Sequence, residues 1–175
     1  MISLPPRPPL ARRARERGSA LLVTLVLVGA LLAGSAMAQL PVEIHPKQTE
    51  LLPSADPQLA ANKRLAFDFW REVIQAHHVD KASTYVADAF VEHAPSGKGS
   101  DSWAATGGHR PPEPVKATLD DLVSIVAERD LVLLAFRRVL PDLEHEGQTY
   151  TTTAFDMLRI AGGKIVEHWS SGADE

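Results

Sequence analysis

Residues 147–172 read GQTYTTTAFDMLRIAGGKIVEHWSSG, and the remainder of the chain is most easily understood outward from them. Thr149–Ile160 is crowded with Thr, Tyr, Phe and Ile, whose β-branched and aromatic side chains suit a pleated, half-buried surface. Gly162-Gly163 provides two adjacent residues free to take positive φ, as a two-residue hairpin turn requires. Ile165–Trp169 is then the returning strand. With the turn on those glycines, Ile160 faces Ile165, Leu158 faces Glu167 and Asp156 faces Trp169. Side chains alternate along a strand, so Tyr150, Thr152, Asp156, Leu158 and Trp169 share one face, and His168 falls on the other beside Met157. A slip of one residue would reverse every one of these faces, so the register is an assumption.

Asp156 is the residue that a plain core strand would not carry. A carboxylate held among a Trp and aliphatic side chains is the kind of group that moves protons in an active site. The competing reading pairs it with Arg137, Arg138 or Arg159, or leaves it at a wet sheet edge. The pattern alone leaves both open.

The segment FDMLRIAGGKIVEHWSS is similar to the C-terminal signature of the SnoaL-like polyketide cyclase family, within the nuclear transport factor 2-like superfamily. The matching elements are Asp156, Met157-Leu158, Arg159, Gly163-Lys164-Ile165 and Glu167-His168-Trp169. Upstream, TYVADAFVEHAP (Thr84–Pro95) resembles the family's strand ending in His and Pro. The resemblance spans roughly Asn62 to Gly172. It implies an α+β fold, cystatin-like, in which a curved, mostly antiparallel sheet wraps N-terminal helices as a cone enclosing a cavity. By the same resemblance His93 lies at the cavity mouth. A surface or core His satisfied by a backbone carbonyl is the alternative. Ala94 stands where the family often has Asn, and Ser170 where it often has Asp.

Two functions from different classes follow. The resemblance implies an enzyme in which Asp156 abstracts or returns a proton beside a carbonyl, with His93 assisting. Trp70, Phe90, Tyr150 and Trp169 would shape an apolar pocket for a small carbonyl-containing molecule, with Thr152 and Leu158 beside Asp156. Such aldol-type cyclisation or isomerisation needs no cofactor and no metal, since a positioned carboxylate suffices. The alternative is a non-catalytic periplasmic domain that binds a small molecule or a partner. Superfolds of this kind host many activities, so fold does not settle the matter.

Residues 1–38 are read apart from the domain. Arg7, Arg12, Arg13, Arg15 and Arg17 precede an uncharged run, Ala20–Ala33, which ends in Gly34-Ser35-Ala36-Met37-Ala38. Basic region, short apolar run and small-residue site read as a secretory signal peptide cleaved after Ala38, giving a periplasmic or secreted protein. The run is shorter than the roughly 20 residues a membrane span needs, although an uncleaved anchor remains the alternative. Without the five arginines and one glutamate of that segment, the net charge falls from −4 to −8. So acidic a chain is poorly suited to nucleic acid or to anionic membranes. The absence of cysteine rules out disulfides, leaving stability to the core.

Residues 39–55, with Pro41, Pro46 and Pro53, show no periodicity and are expected to form an extended tether ahead of the domain at 56–172. Asp56-Pro57 reads as an N-cap followed by the first helical residue. Leu65, Phe69, Val73 and Ala66, Trp70, Ile74 then form an apolar stripe to about Ala76, with Lys63, Arg64, Asp68, Arg71, Glu72 and Gln75 on the surface. The adjacent His77 and His78 point about 100° apart on a helix and do not converge on a metal ion. They read instead as a helix end, after which Asp80 caps a short helix through Val86. Phe90–His93 is the first expected strand. Residues 94–118 are rich in Gly and Pro and read as a surface loop or a lid. Leu122–Ala127 and Leu131–Val139 form a second hairpin, and Pro141–Gly147 an acidic loop. The nearly unbroken apolar run Leu131–Phe136 suits a strand covered on both faces, the second cover being the partner of a homodimer.

Overall fold

The computed structural model of the chain describes residues 40–93 and 110–171. The expected signal peptide, its cleavage site and the Gly-rich part of the 94–118 loop lie outside the described residues. Helix α1, Pro57–Phe69, starts as the sequence predicts: the Asp56 carboxylate accepts from the Gln58 amide at 2.7 Å, and Pro57 occupies the first turn. The chain continues as a π-helix over Trp70–Gln75, and His77 ends it in a left-handed conformation with φ 59°. A 3-10 turn, Val79–Lys81, leads into the single-turn helix α2, Ala82–Tyr85. Asp80 lies within that turn and does not cap α2, whose N-cap position is Lys81.

Five strands follow: β1 Val86–Glu92, β2 Leu122–Glu128, β3 Leu131–Pro141, β4 Thr149–Ala161 and β5 Lys164–Ser170. β1 begins four residues before the expected Phe90. Their order in one curved, open sheet is β1-β5-β4-β3-β2. All neighbours are antiparallel except β1 and β5, which run parallel. Gly162 and Gly163 take φ 58° and 74° at the β4–β5 turn, as the sequence requires.

The core lies between α1 and one face of the sheet. Ala66, Phe67, Phe69 and Val73 meet Leu122, Ile125, Val132, Leu134, Leu158 and Ile165 there, all of them buried. Burying one such Leu, Ile or Phe side chain contributes about 1.5–3 kcal/mol.

Residues 40–55, expected as a tether, are instead fastened to the domain. The Val42 amide donates to Thr151 Oγ1 at 2.7 Å, and the His45 amide donates to the Leu122 carbonyl at 2.8 Å. A 3-10 turn at Gln48–Leu51 buries Gln48, whose amide group bonds the backbone of Leu119 in both directions. Lys63, expected on the surface, is 8% exposed and donates through Nζ to the carbonyls of Leu51 and Pro53. A lysine stem can lie along apolar surface while its ammonium head satisfies carbonyls that no helix or ladder partner reaches.

Candidate functional site

The C-terminal hairpin does not keep the register that an uninterrupted ladder would give. Ile160 pairs with Ile165 as expected, but the next pair is Arg159 with Glu167, so Val166 is an extra residue, a β-bulge. Beyond it Leu158 pairs with His168, Met157 with Trp169, and Asp156 with Ser170. This corrects the expected faces: His168 shares the face of Asp156 and Leu158, and Trp169 joins Met157 on the other. Parallel pairing sets Glu92 of β1 beside His168.

The outcome is a buried chain of three polar side chains. His168 Nδ1 lies 2.7 Å from Glu92 Oε1, and Nε2 lies 3.0 Å from Asp156 Oδ1. Side-chain exposure is 2% for Glu92, 5% for His168 and 15% for Asp156, so Asp156 is the end nearest solvent. Trp70 covers the imidazole, with ring centroids 6.0 Å apart, and Leu134 and Leu158 stand opposite Asp156 and His168. Each hydrogen bond needs one proton between imidazole and carboxylate. Either both ring nitrogens carry protons and both acids are ionised, or a neutral imidazole donates to one acid and accepts from the other in its protonated form. The two arrangements differ in where a proton resides, which is the elementary property of a proton relay.

The other candidate residues are dispersed. Leu158 and Phe90 belong to the core, at 0% and 8% exposure. Thr152 pairs with Arg138, farther along β4, and Tyr150 with Leu140. Tyr150 is 40% exposed and six residues from Asp156, about 20 Å along the strand. His93 is not brought to Asp156. Its ring stacks on Trp169 at 5.0 Å, and Nε2 meets Glu167 Oε1 at 2.8 Å. Arg159 lies over the same Trp169 ring and donates to Glu167 and Asp130. The hydrogen bond from His93, then that from Arg159, holds the Glu167 carboxyl below its usual range.

Sequence reasoning did not single out Glu92. Its signal was there, because it lies two residues from the core-facing Phe90 and so shares that face. His168 was placed on the wrong face because the Val166 bulge has no mark in composition.

A cavity of about 380 Å³ opens beside the π-helix. Trp70, Ile74, Leu119, Phe136 and Pro114 form its apolar walls, with His77 and several charged residues around it. Trp70 therefore borders the cavity and also covers His168. Its ring stacks on Phe136 at 5.3 Å. Among the described residues, no three His, Cys, Asp or Glu side chains are grouped as metal ligands would be, and no helix is long and apolar enough to cross a membrane.

A curved five-stranded sheet with its helices against one face defines the class: a nuclear transport factor 2-like, cystatin-like α+β domain. The sequence profile of the SnoaL-like domain matches residues 67–168. That is more than half of the chain, which belongs to this family. Among solved structures, a candidate polyketide cyclase from Acidithiobacillus ferrooxidans is 14% identical, with 67% of this chain and 89% of that one covered and a TM-score of 0.46. A candidate SnoaL-like polyketide cyclase from a Jannaschia species is 16% identical, with coverage of 68% and 91% and a TM-score of 0.46. An LEH-like epoxide hydrolase from M. tuberculosis is 11% identical, with coverage of 65% and 84% and a TM-score of 0.45. A search of curated proteins gives no match.

Proposed function

We propose that this SnoaL-like domain is an exported enzyme that moves a proton at carbon beside a carbonyl, with Asp156 as the group that takes and returns it. The observation that carries this reading is the buried Glu92–His168–Asp156 chain, most accessible at its Asp156 end. In the reaction, the Asp156 carboxylate removes a proton α to the carbonyl, leaving an enolate. It then returns that proton to another carbon, completing an isomerisation, or to the alkoxide formed when the enolate closes on a second carbonyl. Atoms balance without a cofactor. His168, anchored by Glu92, adjusts the charge beside Asp156 as the proton leaves and returns, in place of the distant His93. The substrate class is a small apolar molecule bearing a carbonyl.

The reading includes export through residues 1–38 and pairing of two copies through the outer sheet face. There Val126, Leu133, Met157 and Trp169 form a row across four strands, and Val91, Val139 and Phe155 are also exposed. N-terminal sequencing of secreted protein should begin at Gln39; a chain retaining Met1 would refute cleavage.

A second reading, a binding domain without turnover, is favoured by one observation. The cavity beside the π-helix has a well-formed wall that does not include Asp156.

A screen of small carbonyl compounds against the full chain and Asp156→Asn, read by thermal shift and then by mass spectrometry of incubated hits, separates the two. Turnover that falls by about 100- to 10,000-fold in Asp156→Asn supports the enzyme. Equal binding by both proteins with no product supports the binding domain.

A further inference from the structure

The sheet face that carries Asp156 also carries a cation without a counter-charge. β3 and β4 pair in unbroken register, and residues opposite one another share a face: Leu134 with Asp156, Phe136 with Ala154, Arg138 with Thr152 and Leu140 with Tyr150. The other strand arginines are matched. Arg137 pairs with Asp121 at 2.9 Å, and Arg159 with Asp130 at 2.8 Å and Glu167 at 2.7 Å. Arg138 is partly buried, yet among the described residues its guanidinium has no hydrogen bond and no ion pair. The acidic loop beyond Tyr150 does not supply one: Asp142 is held by His145 at 2.9 Å, and Glu144 and Glu146 are exposed. A guanidinium stays ionised and only donates, so one left unpaired on the face of Asp156 calls for an anion.

Between that cation and Asp156 lies ground for a molecule that reaches both. Arg138 stands opposite Thr152, which is about 13 Å along β4 from Asp156, and the Asp156 carboxylate bonds to His168 instead. Ala154 stands midway with its small side chain, and across from it Phe136 stacks on Trp70 at 5.3 Å. Exposure rises along the row, from Asp156, Ala154 and Thr152, all partly buried, to Tyr150, which is exposed. The row is therefore open at its Arg138 end. Two hydroxyls accompany the guanidinium there, Thr152 directly opposite and Tyr150 two residues farther. A carboxylate, an apolar floor and a cation with hydroxyl donors thus follow one another on one face.

We propose that Arg138 and Thr152 bind a carboxylate at the end of the substrate remote from the carbonyl on which Asp156 acts, so that the substrate is an oxo acid with an apolar middle. The carboxylate takes two N–H groups of the guanidinium in parallel and one hydroxyl. The carbonyl end of this assignment rests on the proton-transfer reading; the anionic end rests on Arg138 alone. A chain with net charge −4 does not draw anions from a distance, so selection comes from contact at Arg138 and not from steering.

The test uses ω-benzoylhexanoate, an aryl ketone whose chain ends in a carboxylate, and its primary amide, which has the same shape without the charge. Both are titrated against the full chain by NMR. The parent binds the acid about tenfold more tightly than the amide, as a charge-assisted pair supplies. In Arg138→Gln the preference falls to about twofold or less. Arg138→Lys, which keeps the charge but not the planar fork, retains about threefold. Each variant is first shown folded by circular dichroism. Arg64→Gln, which removes a charge from the exposed surface of α1, leaves the preference unchanged and excludes net charge as its cause. Asp156→Asn keeps the preference at the parent's level or above, since only a like charge has been removed. Turnover retained in Asp156→Asn, with the preference lost in Arg138→Gln, would sink the proton-transfer reading and leave the anionic site standing. Equal affinity of the parent for acid and amide, no saturable binding of the acid, or full preference in Arg138→Gln would overturn the proposal.

Discussion

With His168 between Glu92 at 2.7 Å and Asp156 at 3.0 Å, removing the imidazole leaves two carboxylates facing each other in an apolar setting. His168→Ala should therefore lose about 3–5 kcal/mol, the usual cost of stripping a buried charge of its partner. Urea denaturation checks this, and a loss below 1 kcal/mol would mean that the three groups are not a coupled unit. Tyr85 gives a second residue-scale prediction. Burial, then its hydrogen bond to Glu72, pushes the phenol up to about 12. The folded protein holds that proton more tightly than the unfolded chain, so this contribution to stability is complete below about pH 10 and is lost as pH rises through 12. Ultraviolet titration should show one tyrosine ionising near pH 12. At this scale Asp156 was legible as a polar residue in an apolar strand, whereas its partners were not, because Glu92 comes from a strand distant in sequence and His168 is turned to that face only by the Val166 bulge.

The β4–β5 hairpin shows how one element aims the site. Gly162 and Gly163 have φ 58° and 74°, with nothing within 4 Å of where a Cβ would stand. Gly163→Ala should thus cost about 1–2 kcal/mol through backbone strain alone, without a clash; an unchanged denaturation midpoint would count against the turn. Three residues past Gly163, Val166 is the extra residue that turns His168 inward. Deleting Val166 should restore an even ladder in which Arg159 still pairs with Glu167 and Leu158 with His168, so His168 stays on the face of Asp156. An unmoved His168 ring resonance in NMR would confirm that Val166 is the surplus residue, and a displaced resonance would refute it. The turn was legible because glycine pairs at positive φ announce themselves. The bulge was not, since Val166 is an ordinary strand residue and only pairing with both neighbours forces it out of step.

For the whole molecule, the acidic charge and the apolar outer sheet face set the expected association behaviour. If two copies pair through Val126, Leu133, Met157 and Trp169, Met157→Glu should convert a dimer to a monomer in size exclusion with light scattering. A parent that is already monomeric would refute the pairing. The same face carries Glu167 between His93 and Arg159, whose hydrogen bonds hold its carboxyl low. A depressed carboxyl contributes stability above its unfolded value and loses it as pH falls through the folded one. Acid titration should therefore weaken this side of the sheet below about pH 4.5, and Glu167→Gln should flatten that part of the stability profile.

By itself, the sequence determined what local chemistry can specify: the Asp56-Pro57 helix start, the glycine turn, the alternating strands and the family signature from Asp156 to Trp169. Each depends on residues a few positions apart. Tertiary structure alone decided that Glu92, His168 and Asp156 meet, that His93 stacks outside on Trp169, that residues 40–55 are bound down by Lys63, and that His77 is held strained beside a cavity. Those outcomes depend on strand register and on pairings between segments up to 109 residues apart. In a ladder of period two, one bulged residue reverses which side chains face the core.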